Sequence, residues 1–152
     1  MNVLSAVLIV LALIVVATVA GLVWQRRNGR VRSAAARAAE IVRPTDVQTE
    51  APFGERATLL QFSTEFCTYC PSTRKLLGGI AERTHGVVHV DVDLTHSPEL
   101  AQRFKVLQTP TTLLLDRDGA VRARVGGPPK RAELEEALAR ILNTDGDNRV
   151  AA

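Results

Sequence analysis

A run of 22 residues, 3–24, carries no charged side chain and is built mainly of Val, Leu, Ala and Ile, whereas the remainder of the chain is dense in Arg, Glu and Asp. That segregation restricts the fold more than any other feature. As a helix the run is about 33 Å long, enough to cross a hydrocarbon core of roughly 30 Å. A helix apolar on every side belongs either in a bilayer or inside a large protein core. No later segment of the 152 residues is apolar enough to surround it. A cleaved secretory signal fits less well. Only the α-amino charge precedes the run, the run is too long, and Thr18-Val19-Ala20 is a poor cleavage site. The expectation is an uncleaved, single-pass anchor over 3–24, with Trp24 at the interface.

The sequence isoelectric point is high, near 9.3, but the excess charge is local. Six of the 19 Lys and Arg are Arg between positions 26 and 43, against the single acid Glu40. From residue 53 onward, 13 basic residues meet 13 acidic ones. No basic face with interleaved aromatics remains, so nucleic acid is not an expected partner. Arg26, Arg27, Arg30, Arg32 and Arg37 follow the apolar run and nothing basic precedes it. Flanks of this kind stay in the cytoplasm, which places the soluble part there in the cell membrane's frame. The same arginines also suit anionic headgroups, at about 1 kcal/mol each near the surface. The lipid bilayer is thus the first partner expected.

Residues 25–52 read as a basic juxtamembrane linker. The Ala-rich stretch 33–42 extends the helix until Pro44 stops it, and 45–54, with Pro52 and Gly54, has little to bury. Residues 53–143 form the folded domain and 144–152 a disordered tail. Within the domain, 57–63 (ATLLQFS) is an apolar run suited to a buried strand. Residues 68–84 read as a helix, closed by Gly86. Residues 87–94 alternate as a second strand, and 98–105 form a short helix with Pro98 in its first turn. Residues 111–115 and 120–125 are a hairpin about Asp116-Arg117-Asp118-Gly119, and 131–142 are an amphipathic helix. A βαβ unit followed by a hairpin implies an α/β domain, a mixed sheet flanked by helices.

Two cysteines are too few for a disulfide scaffold, and three positions apart they would staple almost nothing. Cys67-Thr68-Tyr69-Cys70 is therefore expected to be reactive. Disulfide exchange needs an attacking thiolate and a second thiol to resolve the mixed disulfide. At a helix start, free N–H groups and the helix dipole lower the pKa of Cys67, making it the nucleophile, with the more buried Cys70 resolving. A structural metal site would need four ligands, and no second CxxC exists. His85, His89 and His96 read as surface or edge histidines, so no metal and no cofactor is expected. Use of Cys67 and Cys70 as soft ligands for copper or zinc is the chemical alternative.

The residues Glu65-Phe66-Cys67-Thr68-Tyr69-Cys70 after a strand, Val90-Asp91-Val92-Asp93, Pro98-Glu99-Leu100-Ala101, Phe104-Lys105-Val106, Thr109-Pro110-Thr111 and the hairpin Gly119 together resemble the thioredoxin family over about 57–142. The resemblance implies that Pro110 is a cis-proline facing the dithiol. It implies further that Thr109, Thr68 and Tyr69 line the substrate groove, with backbone hydrogen bonds from Thr109. It also shows departures. Gln61 stands where a buried acid assists the second cysteine, Ser63 where an aromatic is usual, and Lys75 where a proline kinks the helix. Tyr69 in the dipeptide is closer to glutaredoxins and bacterial disulfide isomerases. Glu65 reads as a solvated rim residue, and Arg74 and Lys75 as a solvated helix face. The expected function is a membrane-tethered thiol–disulfide oxidoreductase acting as a reductase on protein or small-molecule disulfides, with a partner reductase or oxidant. The alternatives are an extracytoplasmic disulfide oxidoreductase, since many anchored relatives work outside the membrane, and a non-catalytic binding or metal-handling module.

Overall fold

In a computed structural model, residues 3–27, 29–33 and 40–150 are described. The first element, α1 (Val3–Arg27), is one uninterrupted helix of 25 residues. Among the described residues no helix is long and apolar enough to cross a membrane. The described side chains of α1 cover residues 7–23, about 26 Å of helix, and every one of them is exposed.

The remaining elements are β1 (Val31–Ser33), a tight helical turn at Pro44–Val47, β2 (Ala57–Ser63), α2 (Cys70–Arg83), β3 (Val87–Asp93), α3 (Pro98–Arg103), β4 (Thr111–Asp116), β5 (Val121–Gly126) and α4 (Arg131–Val150). They build a five-stranded sheet in the order β1-β5-β4-β2-β3. Only β2 and β3 run parallel; β2–β4, β4–β5 and β1–β5 are antiparallel. The mixed sheet with helices on both faces matches the expectation.

Strand β2 lies inside the sheet and all seven of its residues are buried, as its near-continuous apolar run requires. Strand alternation divides its side chains between two cores. Leu60 and Phe62 join Val90, Val92, Leu113, Leu115, Leu100 and Phe104 on one side. The Phe62 and Phe104 rings stand 5.2 Å apart there, in a tilted pair. Ala57 and Leu59 face Leu77 and Ile80 of α2 and Leu134, Leu138 and Ile141 of α4 on the other.

Several boundaries differ from the sequence reading. The stretch 25–52 is not a free linker. Val31–Ser33 forms β1 on β5, the bridge Ile41–Ala120 follows, and Val42 and Val47 are buried in the first core. Asp46 fixes the Pro44–Val47 turn, accepting from the Arg43 amide at 2.8 Å and from Arg103 Nη2 at 2.7 Å. Those two contacts hold its carboxyl below the usual range. The physical reason is the edge of β5, which would otherwise present unpaired backbone groups. Gly119 permits the approach: its φ is +78°, and a Cβ there would meet Val42 O at 2.2 Å.

The expected tail 144–152 is helical as far as Val150, with residues 151–152 outside the described set. Once a helix is nucleated, each added residue gains a backbone bond, which favours the continuation of α4 beyond Leu142. The helical extension expected over 33–42 falls on β1 at Ser33 and otherwise mostly on residues outside the described set.

A fragment comprising residues 29–150 should therefore be more stable than one comprising 53–150. Burial of two valines at about 1.5 kcal/mol or more each, with the covered edge, gives a difference of at least about 3 kcal/mol in denaturant unfolding. Equal stabilities would show that the segment before residue 53 adds nothing to the core.

Candidate active site

The two cysteines bracket the step from β2 into α2. After Ser63 the chain turns through Thr64 to Tyr69, with the Cys67 amide donating to Thr64 O at 3.2 Å and the Cys70 amide to Cys67 O at 3.2 Å. Helix α2 then begins at Cys70, two residues later than the spacing suggests, with Pro71 in its first turn, where a missing N–H costs nothing. Cys67 and Cys70 are joined as a disulfide, with a Cα–Cα separation of 5.4 Å. Cys67 is half-buried, while Cys70 is only 2% exposed. The two sulfurs are thus unequal in access.

The opposite wall comes from the loop before β4. The Thr109–Pro110 bond is cis, and Pro110 is buried, its carbonyl accepting from the Gly127 amide at 2.7 Å. The hydroxyls of Thr64 and Thr109 lie 3.2 Å apart, sharing one hydrogen bond between the two loops. Thr68 is exposed and Thr109 half-buried. Three large apolar or aromatic side chains surround these loops in the open: Phe66 at 86% exposure, Tyr69 at 59% and Leu107 at 95%. Neither Phe66 nor Leu107 is marked by sequence pattern alone, since each sits in a loop with no periodicity to read.

Behind Cys70 lies a polar arrangement that sequence reasoning missed. Gln61 is fully buried, and its Nε2 donates to Cys70 O at 3.2 Å. A peptide carbonyl only accepts, so the amide nitrogen must face it, and Gln61 Oε1 must face His89 Nε2, 3.2 Å away. His89 Nε2 therefore carries a proton. His89 stands on β3, the edge strand of the sheet, as an edge histidine, half-buried where α2 lies against that strand. Desolvation lowers its pKa, opposed by Asp91 and reinforced by Arg74. Arg74 Nη2 is 2.5 Å from Asp91 Oδ2, and Ser63 Oγ donates to the same oxygen at 3.0 Å. So Arg74 is spent on an ion pair and is not a free cation for the dithiol. Thr73 Oγ1 and Thr112 Oγ1 are buried without a partner.

The signal was present in part. A lone Gln inside ATLLQFS and the alternation of His89 and Asp91 along β3 place all three polar groups on one face of the paired strands, Gln61 opposite Asp91 and His89 two residues before it. Of the other polar candidates, Lys75 and Glu65 are exposed, the Glu65 amide donating to Thr95 Oγ1 at 3.0 Å. Gly78 and Gly79 lie in an uninterrupted α2, which has no proline kink. Among the described residues, no three His, Cys, Asp or Glu side chains gather as metal ligands.

A family model described as Thioredoxin matches residues 44–140. Thioredoxin H5 of rice (Oryza sativa subsp. japonica) is 29% identical over 72 residues, which are 47% of this chain and 53% of that protein. The chain thus spans about half the length of the curated relative it matches. Among solved structures, a thioredoxin from Halobacterium salinarum is similar with a TM-score of 0.52 at 20% identity, covering 58% of this chain and 76% of that one. Thioredoxin F from spinach chloroplast is similar with a TM-score of 0.51 at 24% identity, over 58% and 78% respectively. Both likenesses concern the fold.

The lowered pKa of His89 gives a signed pH dependence. The unfolded chain binds a proton near 6.5, the folded chain only at lower pH. The stability contributed by neutral His89 is complete above about pH 6.5 and is lost as pH falls through the folded pKa. His89→Gln should flatten the fall in denaturant stability between about pH 7.5 and 5. An unchanged pH slope in the variant would place the titration elsewhere.

Proposed function

This chain belongs to the thioredoxin family, and from that premise we propose that it is a thiol–disulfide oxidoreductase, tethered to the membrane and working as a reductase through Cys67 and Cys70. One observation carries the reading. The two cysteines form a closed pair at a strand-to-helix junction, one sulfur half-buried and the other covered, beside the cis Thr109–Pro110 bond. Exchange needs that asymmetry.

In the reduced protein, the Cys67 thiolate attacks one sulfur of a substrate disulfide. A Cys67–substrate bond forms, the substrate S–S bond breaks, and the released thiolate takes a proton from solvent. Cys70 then loses its proton and attacks the Cys67 sulfur. The Cys67–Cys70 bond forms, the mixed disulfide breaks, and the second substrate thiolate leaves and is protonated. Two electrons have passed to the substrate. The position of Cys67 just ahead of the α2 N-terminus favours its thiolate through free N–H groups and the helix dipole. Thr68, Tyr69, Thr109 and Pro110 border the place where a substrate chain would lie. Gln61 cannot accept the Cys70 proton, so that proton leaves by solvent or by a substrate group.

The tether is the run 3–24, supported by its length, its lack of charge and the exposure of every described side chain along α1. The arginines after it support a cytoplasmic domain, where reduction is the default direction and a reductase partner restores the dithiol. An oxidising role outside the membrane is the reading that a reversed topology would favour.

Cys67→Ser should abolish reduction of insulin disulfides, and Cys70→Ser should accumulate mixed disulfides through Cys67. Faster alkylation of Cys70 than of Cys67 in the reduced protein would reverse the assignment. A cytoplasm-dependent reporter fused after Ala152 should be active. Replacing Arg26, Arg27, Arg30, Arg32 and Arg37 by Gln while adding Lys after Met1 should turn it off. Labelling of the wild-type dithiol by a membrane-impermeant reagent in intact cells would overturn the cytoplasmic placement.

A further inference from the structure

The registers of the sheet put the dithiol and the exit of α1 at the same end of the domain. Cys67 follows the C-terminal end of β2, and Phe62 pairs with Thr111, so the N-terminal end of β4 with Pro110 lies beside it. Thr111 in turn pairs with Gly126 at the C-terminal end of β5, and Val31 at the start of β1 pairs with Val125. The chain therefore enters the sheet at the end that carries the cysteines, three strand spacings from β2, about 14 Å across.

The joint is short. Helix α1 ends at Arg27, and the Gly29 amide already donates to Gly126 O at 2.9 Å. Gly29 has φ +76°, and a Cβ on it would lie 2.3 Å from Pro128 O, so this residue is packed into the domain. Val31 N then reaches Glu133 Oε2 at 3.3 Å. From Trp24 to Gly29, three helical rises and two extended residues span at most about 12 Å. Adding the width across the sheet and the loop that carries Cys67, the dithiol stays within roughly 30 Å of the hydrocarbon edge, whatever the rotation about the joint. A free tether over 25–52 would have allowed roughly 95 Å. Phe66, Tyr69 and Leu107, the exposed apolar rim, stand on loops at this same end of the sheet, and the amphipathic Tyr69 ring suits the interfacial layer.

We infer that the dithiol serves partners fixed in the same bilayer: its substrate class is a cysteine pair of an integral membrane protein lying close to the membrane surface. This rests on the reading of 3–24 as an anchor and of Cys67 and Cys70 as the exchanging pair. A freely diffusing soluble protein is the competing substrate. The short joint disfavours it, because a bulky partner must fit between the working end and the lipid.

The test uses the full chain, reduced, in vesicles of phosphatidylcholine and phosphatidylglycerol. Two transmembrane reporter peptides carry the same disulfide, one in the headgroup layer and one held about 60 Å out on a helical spacer. Exchange with the near reporter should be at least about tenfold faster, since only it shares the dithiol's volume. Insertion of about thirty Gly/Ser residues after Arg27 should bring the far reporter to within about threefold of the near one. A small soluble disulfide tests the chemistry, and vesicle flotation tests the anchor. Failure of either control overturns the premise and the inference with it. Equal near and far rates in the unmodified chain, with both controls intact, overturn this inference alone. Faster exchange with a soluble protein disulfide than with the near reporter would assign the site to the competing class.

Discussion

Burial of β2 on both faces and along both edges is the constraint on which the rest of the structure depends. Its seven residues have no exposed side, so every polar group among them needs a partner inside the protein. Reactive groups on this chain can then meet solvent only beyond the strand's ends, and the cysteines follow its C-terminal end. Antiparallel pairing to β4 brings the start of that strand, with Pro110, to the same end. The site thus needs no long-range coordination. Two neighbouring strands, one leaving and one entering, deliver its two walls.

Gln61 shows what that burial demands. It sits on the β2 face turned toward α2, where an ionised carboxylate would be costly to desolvate. An amide meets the same geometry without charge, donating to Cys70 O and accepting from His89. The proton-accepting capacity that an acid would supply is absent from this position. Among the described residues the amide's one titratable partner is His89, whose pKa burial lowers. The charge nearest to this set, Asp91, is held by Arg74 and Ser63. The groups that touch Cys70 O and its amide partner are therefore neutral, and the adjacent charge, Asp91 opposite Gln61, is paired with Arg74 through one oxygen while its Oδ1 is buried without a partner.

The elements that could be read from the chain were those in which period and burial agree. ATLLQFS is a short apolar run, VVHVDVD alternates, the 131–142 stripe keeps a helical period, and Thr109-Pro110-Thr111 is distinctive by itself. What escaped was set by tertiary partners. Val31-Arg32-Ser33 is too short and too polar to signal a strand, and becomes one because β5 offers an open edge. Val42 and Val47 flank a proline in a stretch with loop composition, and are core residues because the hairpin glycine lets the chain approach. His89 is the edge histidine its strand suggests, but alternation along β3 does not say that Gln61 is its partner. The cysteines themselves were legible, since C-x-x-C after a buried strand names the junction as well as the chemistry.

The same three-residue strand that closes the sheet also sets the reach of the site. Had β1 been absent, β5 would be an open edge and the domain would hang from a chain long enough to search a wide volume. With β1 in place, the edge is covered, and Gly29, two positions after α1, already donates to Gly126 O. Capping the edge and shortening the tether are thus one event. The arginines of this region then acquire a double setting, since Arg30 and Arg32 are exposed at the sheet edge while remaining within a few residues of the apolar helix. On the proposed reading of 3–24 as an anchor, these arginines would favour an anionic surface beside the joint. By strand register the end of the domain that Gly29 enters is also the end that carries Cys67, so the proposed anchor and the dithiol share one end of the sheet.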